Sequence, residues 1–509
     1  MNFVIIVLIA LTFTSRIIGL GREMSLAYFY GATNISDAYL MSIAIPTIIV
    51  TIFIASLATS YIPVYQKNRT DSLAENLFTN KVMGLSLIAS FFILILSLIF
   101  TPQIVPLFVS GFDSATMALT INLTRITLFA IFFMGMNQIL HSFMQVKEKV
   151  LLASLSGLPF NLVAILFIVI SAHTHLHFLA VGTVLAMGAQ CIFLLILAKR
   201  QGFKLKPNFQ LKDESVNKLL ILTLPIILTN TVEQIGIMVD KNLASQFGPG
   251  AVSSLSYATR TSTALSGIFI TSILIVTFPK IAKLAATENM TAMKNSLAES
   301  IVAMSLFILP AIAAVMMFAH PVISLLFGRG AFDAEAISVT SSLLFYYIFF
   351  LFGNGLTQLT SRVFISMGDS KTPMIVATIT VIINIALNIL LTSFVGIVGL
   401  ALATSISALI GLAILLFLLR YKIGSLRLRK TVISLSKIAS ASVIMAFGAY
   451  FIYQYILPFN PIIALASSAV VGIGIYGILL LILRIREVDY LISAVAHQIK
   501  KRIDEKRDF

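Results

Sequence analysis

Residues 14–67 read TSRIIGLGREMSLAYFYGATNISDAYLMSIAIPTIIVTIFIASLATSYIPVYQK, two apolar spans that contain or border Arg16, Arg22, Glu23 and Asp37. An arginine that faces lipid at mid-membrane costs about 2.5–3.5 kcal/mol on insertion scales. Both arginines are therefore expected to face protein or a water-filled cavity. The stretch predicts membrane-spanning helices that carry a polar site.

The whole chain has the composition of a membrane protein. Of its 509 residues 59% are hydrophobic and 11% charged, and the mean hydropathy is +1.01. A helix of about 20 apolar residues crosses a bilayer, and fourteen such runs predict an all-α polytopic fold with 14 transmembrane helices. The runs lie near 2–30, 35–66, 80–106, 115–145, 150–172, 178–198, 216–245, 251–284, 297–326, 336–366, 373–394, 397–420, 431–455 and 461–484.

The basic residues are distributed unevenly between the connections. Lys and Arg fill the even-numbered connections and the C-terminal tail, whereas Arg329 alone lies in an odd-numbered one. Cytoplasmic loops carry such an excess, so both termini are expected to be cytoplasmic. The net charge of +15 then reflects topology and contact with anionic lipids, and no nucleic-acid partner is predicted.

The first twelve spans form two similar halves. AYFYGATNISDAY from Ala27 and ASQFGPGAVSSLSY from Ala244 occupy equivalent places, which indicates a duplication with a period near 217 residues. An even number of spans gives a parallel repeat, and transport folds commonly bind substrate between such halves. The predicted divisions are an N-lobe (1–198), a cytoplasmic linker (199–215), a C-lobe (216–420), two further spans (421–484) and a basic tail (485–509), either amphipathic or simply solvated.

Several short motifs resemble the MviN/MurJ family of lipid II flippases. They are S-R-x-x-G-x-x-R-E from Ser15, F-x-G-A-x-x-x-x-D-A from Phe29, Y-A-T-R at 257–260, R-G-A-F at 329–332 and K-T-P at 371–373. The resemblance implies the multidrug/oligosaccharidyl-lipid/polysaccharide exporter fold. It also implies translocation of undecaprenyl-pyrophosphate-linked peptidoglycan precursor across the bacterial inner membrane by alternating access, beside the cell-wall synthesis machinery.

The intramembrane charges suit an anionic headgroup. Guanidinium groups bind phosphate oxygens through paired hydrogen bonds and stay charged. The predicted substrate-binding residues are Arg16, Arg22, Arg260, Asp37 and Glu23. Gly19 and Gly21 are expected to let the first helix bend so that both its arginines face inward, and Asp37 is expected to compete for Arg22 during release. The structural alternative is that Arg22 merely neutralises Glu23 or Asp37.

Two other substrate classes stay open. The family often carries basic residues midway along the second span, where this chain has Val50 and Thr51. A flippase for another polyprenyl-linked glycan, such as a capsule, teichoic acid or exopolysaccharide precursor, is therefore an alternative. A cation-coupled small-molecule exporter is a second one, which the first-helix arginines and the two extra spans disfavour.

A second polar group concerns the energy source. Asp240, Asn384, Asn388 and Thr404 offer hard oxygen ligands of the kind that Na⁺ uses, although interhelical hydrogen bonding explains them equally well. Glu233 is an alternative carrier of a cation or proton, and membrane potential is a third drive. The chain contains neither a nucleotide-binding motif nor external catalytic carboxylates, so the sequence predicts no cofactor, no metal beyond sodium and no enzymatic activity.

Overall fold

The computed structural model describes residues 3–67, 72–209, 213–287, 289–426 and 429–484, and within these ranges the regular structure is entirely helical. The helices of the first half are α1 (Phe3–Tyr30), α2 (Asn34–Val50), a π-helical turn (Thr51–Ala55), α3 (Ser56–Lys67), α4 (Ser72–Ile99), α5 (Thr101–Phe108), α6 (Ser114–Thr127), α7 (Ala130–Val146), α8 (Val150–Ser154), α9 (Gly157–His173) and α10 (His177–Arg200). The later helices are α11 (Glu214–Ser245), α12 (Ala251–Ala286), α13 (Met290–Phe327), α14 (Ala334–Tyr347), α15 (Phe350–Ser366), α16 (Lys371–Val395), α17 (Val398–Ile423), α18 (Arg429–Ile456) and α19 (Pro461–Ile482).

The helices agree with the predicted membrane spans. Among the described residues twelve helical segments are long and apolar enough to cross a bilayer, and the pair α6 and α7, bent by 51°, brings the number to 13. Helix α1 adds a further 28-residue helix, so fourteen spans are compatible with the structure. The third and ninth predicted spans correspond to α4 and α13, which begin at Ser72 and Met290. Both begin earlier than predicted, because hydropathy detects the apolar part of a helix and not its polar extension into water.

The chain forms two compact units. The first comprises Met1–Leu255 with Phe327–Ile337, and the second comprises Ser256–Leu326 with Ser338–Phe509. Within the first unit α11 packs on α3, although it opens the second copy of the predicted repeat. The lobe boundaries inferred from the repeat stay a prediction, and the predicted tail at 485–509 lies outside the described residues.

The duplication is visible in the order of local structures. Asp113 begins α6 by accepting a 2.9 Å hydrogen bond from the Thr116 N–H, and Asp333 accepts one of 2.8 Å from the Ala336 N–H before α14. In each copy the capped helix then breaks, between α6 and α7 and between α14 and α15. Aspartate is a preferred N-cap because its oxygen satisfies a free helical N–H.

Residues 202–208 of the predicted linker form a strap bound to α4. Two side chains one helical turn apart hold its backbone. The Asn76 amide donates to the Gly202 carbonyl, and the Asn80 amide donates to the Lys204 carbonyl. In return the amide oxygen of Asn80 accepts from the Lys206 N–H at 2.7 Å. Hydrogen bonding satisfies the strap's backbone, so this part of the linker is an integral piece of the first unit.

Helix α11 has a charged N-cap. Asp213 precedes this helix and caps it by accepting a 2.7 Å hydrogen bond from the Ser215 N–H. Its carboxylate also pairs with Lys81 of α4, and this hydrogen bond holds the pKa of Asp213 below its usual range. Charge and capping together fix the start of α11.

A π-helical turn interrupts the second span five residues after Pro46. Here the Asn230 amide of α11 donates to the Thr51 carbonyl at 3.2 Å and to the Ser56 hydroxyl at 2.8 Å. The side chain of Asn230 thus adds a hydrogen-bond donor at the π-turn. The contact ties α11 to the second span.

Three glycines allow close backbone packing between turns of the first unit. Gly31, Gly250 and Gly330 have φ of +59°, +79° and +65°. A methyl group on each would lie 2.2–2.3 Å from a carbonyl oxygen: that of Ala331, Ala32 and Tyr28, respectively. Glycine meets both demands, because it tolerates positive φ and has no Cβ.

We expect Gly250→Ala to be more destabilising than Gly248→Ala. Gly248 has φ of +89° but open space around its Cβ position, so its substitution carries only backbone strain of about 1–2 kcal/mol. Gly250→Ala adds steric overlap, which typically costs about 1–3 kcal/mol more. Thermal melting of the two purified variants in the same lipid measures the difference, and equal melting temperatures would contradict the close packing.

Candidate functional site

Helix α1 carries the first two predicted arginines. Arg16 is exposed and lies about 21 Å from the Tyr30 end at 1.5 Å per residue. Arg22 lies about 12 Å from that end by the same measure, and its side chain is 22% exposed. Because an arginine in lipid is costly, the exposed face at Arg16 is expected to line a hydrated cavity.

The Arg22 guanidinium is in contact with an acidic and an aromatic side chain of the first unit. Its Nη2 atom lies 2.5 Å from Oε1 of the buried Glu23, and its Cζ atom lies 5.0 Å from the centre of the Phe160 ring in α9. The carboxylate contacts an edge of the cation, and the ring offers the negative face of its π system. Arg22 is thus held at two places, and within the part of the chain that the structure describes no hydrogen bond occupies its Nη1 or Nε group.

Helix α9 also fixes the neighbouring turns of α1. The Asn161 amide donates to the Ser15 carbonyl at 3.4 Å. A Cβ atom on Gly19 would lie 3.3 Å from the same amide nitrogen, and one on Gly157 would lie 2.8 Å from the Ser15 hydroxyl. The small residue at position 19 therefore admits α9. Helix α1 is continuous from Phe3 to Tyr30, and the bend expected at Gly19 and Gly21 stays a prediction.

Asp37 is fully buried near the start of α2. Its two carboxylate oxygens accept hydrogen bonds from the backbone N–H groups of Gly250 at 2.8 Å and Ser253 at 2.6 Å. Asp37 thereby caps the N-terminus of α12 from another helix, where a negative charge is favourable. Lys241 of α11 is a further electrostatic neighbour. The predicted competition of Asp37 for Arg22 stays a prediction.

The third predicted arginine belongs to the second unit. Arg260 lies on α12 and its side chain is exposed. Another arginine of this unit, Arg362 of α15, stacks on Phe278 with its Cζ atom 4.9 Å from the ring centre. The contact of Arg362 with Phe278 has the same geometry as that of Arg22 with Phe160. Because Arg362 is not a predicted site residue, the Arg362–Phe278 pair is a useful control.

The predicted cation ligands fall in both units. In the second unit the Asn384 amide donates to the Thr404 hydroxyl at 3.4 Å, and the Asn388 amide donates to the Asn384 oxygen at 3.2 Å. These bonds connect neighbouring side chains of α16 and link α16 to α17. In the first unit Asp240 is an electrostatic neighbour of Lys241, and Glu233 is exposed on α11. Within the described ranges no three His, Cys, Asp or Glu side chains form a metal cluster.

An apolar cavity of about 670 Å³ lies within the second unit. Helices α13, α18 and α19 line it, together with Phe269 of α12. The wall includes the small residues Ala311, Ala314, Ala446, Ala449, Ala469 and Gly472. Small side chains spaced three or four apart create space between packed helices. This spacing is visible in the sequence, but it also occurs wherever membrane helices pack closely.

These features define a class of protein. A helical membrane fold with a repeated order of elements, a charged first helix and an apolar cavity is typical of a transporter for an amphipathic substrate. Solved transporters of the multidrug and polysaccharide exporter superfamily share the fold: one inward-facing multidrug transporter aligns with a TM-score of 0.66 at 17% identity, over 83% of this chain and 99% of its own.

Comparison with known sequences and structures gives the family. The profile described as lipid II flippase MurJ matches residues 26–473. A probable lipid II flippase MurJ of Rickettsia prowazekii is 26% identical over 416 residues, 81% of this chain and 82% of the relative. One of Vibrio cholerae is 25% identical over 456 residues, 86% of this chain and 87% of the relative. A solved lipid II flippase MurJ in an inward closed conformation aligns with a TM-score of 0.79 at 26% identity, over 93% of this chain and 98% of that one. The chain belongs to the MurJ family of lipid II flippases, as its motifs predicted.

Proposed function

We propose that this protein translocates lipid II from the inner to the outer leaflet of the bacterial cytoplasmic membrane, without chemical conversion. The family match across residues 26–473 carries the proposal. The Arg22 site supplies what the substrate's pyrophosphate requires, a guanidinium with N–H groups left for phosphate oxygens. Both termini are cytoplasmic in this proposal, as the basic connections indicate.

The two ends of the substrate would be bound separately. The arginines of α1 contact the headgroup, and the apolar cavity of the second unit suits the polyprenyl tail. A headgroup contact of Arg260, which belongs to the second unit, stays a prediction of the sequence. A cavity of about 670 Å³ is in the size range of ligand pockets, so it holds part of the tail while the remainder stays in lipid. Transport follows from alternating access of the headgroup site to the two sides of the membrane.

Complementation tests the proposed function. Expressed in bacteria depleted of their own lipid II flippase, the wild-type chain is expected to prevent lysis and restore growth. Membrane localisation is verified by immunoblot, and an empty vector is the negative control. If well-expressed protein in the membrane does not restore growth, lipid II is the wrong substrate.

A second candidate is a flippase for another polyprenyl-linked glycan. The second span has Val50 and Thr51 where relatives often carry basic residues, and here the structure places a π-helical turn from Thr51. A different set of cavity charges suits a different headgroup. Rescue of a strain that lacks a capsule or teichoic acid flippase, without rescue of the lipid II strain, would favour this candidate.

We also propose that a cation gradient or the membrane potential drives transport, with Na⁺ bound in the second unit at Asn384, Asn388 and Thr404 as the first candidate. The participation of Asp240, which belongs to the first unit, stays a prediction of the sequence. Oxygen ligands suit this ion. Transport into proteoliposomes should then accelerate with a Na⁺ gradient and lose that acceleration in Asn388→Leu. Acceleration by a proton gradient would indicate Glu233 as the coupling residue. Acceleration by the membrane potential alone would indicate that neither site couples an ion to transport.

A further inference from the structure

We propose that Phe160 of α9 is a positioning residue for lipid II recognition: its aromatic face holds the Arg22 guanidinium in the orientation that binds pyrophosphate. This inference rests on the proposed function, because it assigns to Phe160 an effect exerted through Arg22. It extends the predicted site from α1 to α9. Neither the arginine motif nor the family resemblance singles out this phenylalanine.

Glu23 and Phe160 together determine how the Arg22 guanidinium is held. The guanidinium is planar and has five N–H donors. Oε1 of Glu23 lies 2.5 Å from Nη2, and the centre of the Phe160 ring lies 5.0 Å from Cζ, within the roughly 6 Å limit for a cation–π contact. Nη2 carries two N–H groups, so the one that Glu23 does not use can still pair with a neighbouring N–H of the planar fork when phosphate binds.

An unsupported arginine would be a poorer binder in this position. Its long side chain has many rotamers, and ordering it upon binding reduces affinity. Stacking on Phe160 orders the side chain before the substrate arrives. The contact is also strengthened by the partial burial of Arg22, because desolvation increases the attraction between a cation and a ring.

Glu23 alone does not determine this orientation. Glu23 is the residue next to Arg22 in the chain, and it accepts a hydrogen bond from one guanidinium nitrogen. This single contact leaves the guanidinium plane free to rotate about it. Tyr39 is another nearby aromatic group, but its hydroxyl is engaged with Thr183 at 3.0 Å. Among the described residues, the aromatic ring whose face contacts the Arg22 guanidinium is that of Phe160.

The experiment measures equilibrium binding of lipid II to the purified full chain in nanodiscs. Phe160→Leu is expected to weaken binding by about 3- to 10-fold, the range that a cation–π contact provides. Phe160→Tyr keeps an aromatic face and should bind within about twofold of wild type. Phe278→Leu is the matched control, because it removes the equivalent stack on Arg362 and should leave binding unchanged.

Double variants separate positioning from packing. In an Arg22→Gln background, Phe160→Leu should cause no additional loss, since the ring then has no cation to hold. Equal weakening by Phe160→Tyr and Phe160→Leu, or full additivity with Arg22→Gln, would overturn the positioning role. If Arg22→Gln itself bound lipid II normally, the headgroup assignment in the proposed function would fail as well.

A folding defect in Phe160→Leu does not remove the test. Fluorinated phenylalanines at position 160 keep the ring's shape and progressively weaken its negative face. Lipid II affinity should then fall stepwise with fluorine content, while the melting temperature stays constant. Unchanged affinity across the series would overturn the proposal.

Discussion

Arg22→Gln is expected to weaken lipid II binding by roughly 30-fold or more and to abolish rescue of flippase-depleted bacteria. Loss of one partner from a desolvated charge pair typically costs about 2–5 kcal/mol, and each 1.4 kcal/mol is tenfold in affinity. Arg22→Lys should restore only part of this loss, because an ammonium lacks the planar fork that pairs with phosphate. Binding to the purified variants in nanodiscs measures both effects.

The control for this prediction is Arg362→Gln. Arg362 is also an intramembrane arginine stacked on a phenylalanine, with 4.9 Å between Cζ and the Phe278 ring centre, but it is not in the predicted site. Its loss should leave lipid II affinity unchanged. Similar losses in the two variants would mean that Arg22 acts through general stability, and the structural alternative, in which Arg22 only neutralises Glu23, would then be favoured.

Asp37→Ala is expected to destabilise the protein by about 3–5 kcal/mol, the usual cost of removing one member of a buried charged contact. The variant leaves the N–H groups of Gly250 and Ser253 without their acceptors and takes away a negative neighbour of Lys241. Asp37→Asn should be milder, because an amide oxygen can still accept one of the two bonds. Thermal melting in lipid ranks the variants.

Asp113→Ala provides the matched control. Asp113 also accepts a hydrogen bond from a helix N-terminus, but as an ordinary N-cap, whose loss costs about 1 kcal/mol. A melting temperature of Asp37→Ala equal to that of Asp113→Ala would contradict the idea that the buried position makes Asp37 more important. Unchanged transport by Asp37→Asn would remove the separate prediction that Asp37 competes for Arg22.

Much of the fold could be predicted because the bilayer imposes a simple pattern. Apolar runs located the spans, and the duplicated motifs indicated a repeat that the structure expresses in the matching caps Asp113 and Asp333. The strap on Asn76 and Asn80 was not predicted. Its contacts join residues more than 120 positions apart, and hydropathy contains no information about such pairs.

The site could be predicted in part. Charges in apolar runs identified Arg22 and Glu23, which are in contact in the structure. Phe160 was missed because a phenylalanine in a membrane helix is ordinarily a lipid or packing residue, and its role depends on what faces it. The sequence identified Asp37 as a charged residue beside a span. It could not show the contact with the start of α12, because that contact depends on the fold that brings residues 37 and 250 together.

Exposure of lipid II at the outer leaflet is the direct consequence of the proposed transport through the arginine site. It can be measured in spheroplasts depleted of their own flippase, as the fraction of radiolabelled lipid II that an externally added lipid II-cleaving enzyme can reach. We expect a large accessible fraction with the wild-type chain and a background fraction with Arg22→Gln at equal membrane levels. A background fraction with the wild-type chain would show that it does not move lipid II, and full accessibility with Arg22→Gln would show that transport does not depend on Arg22.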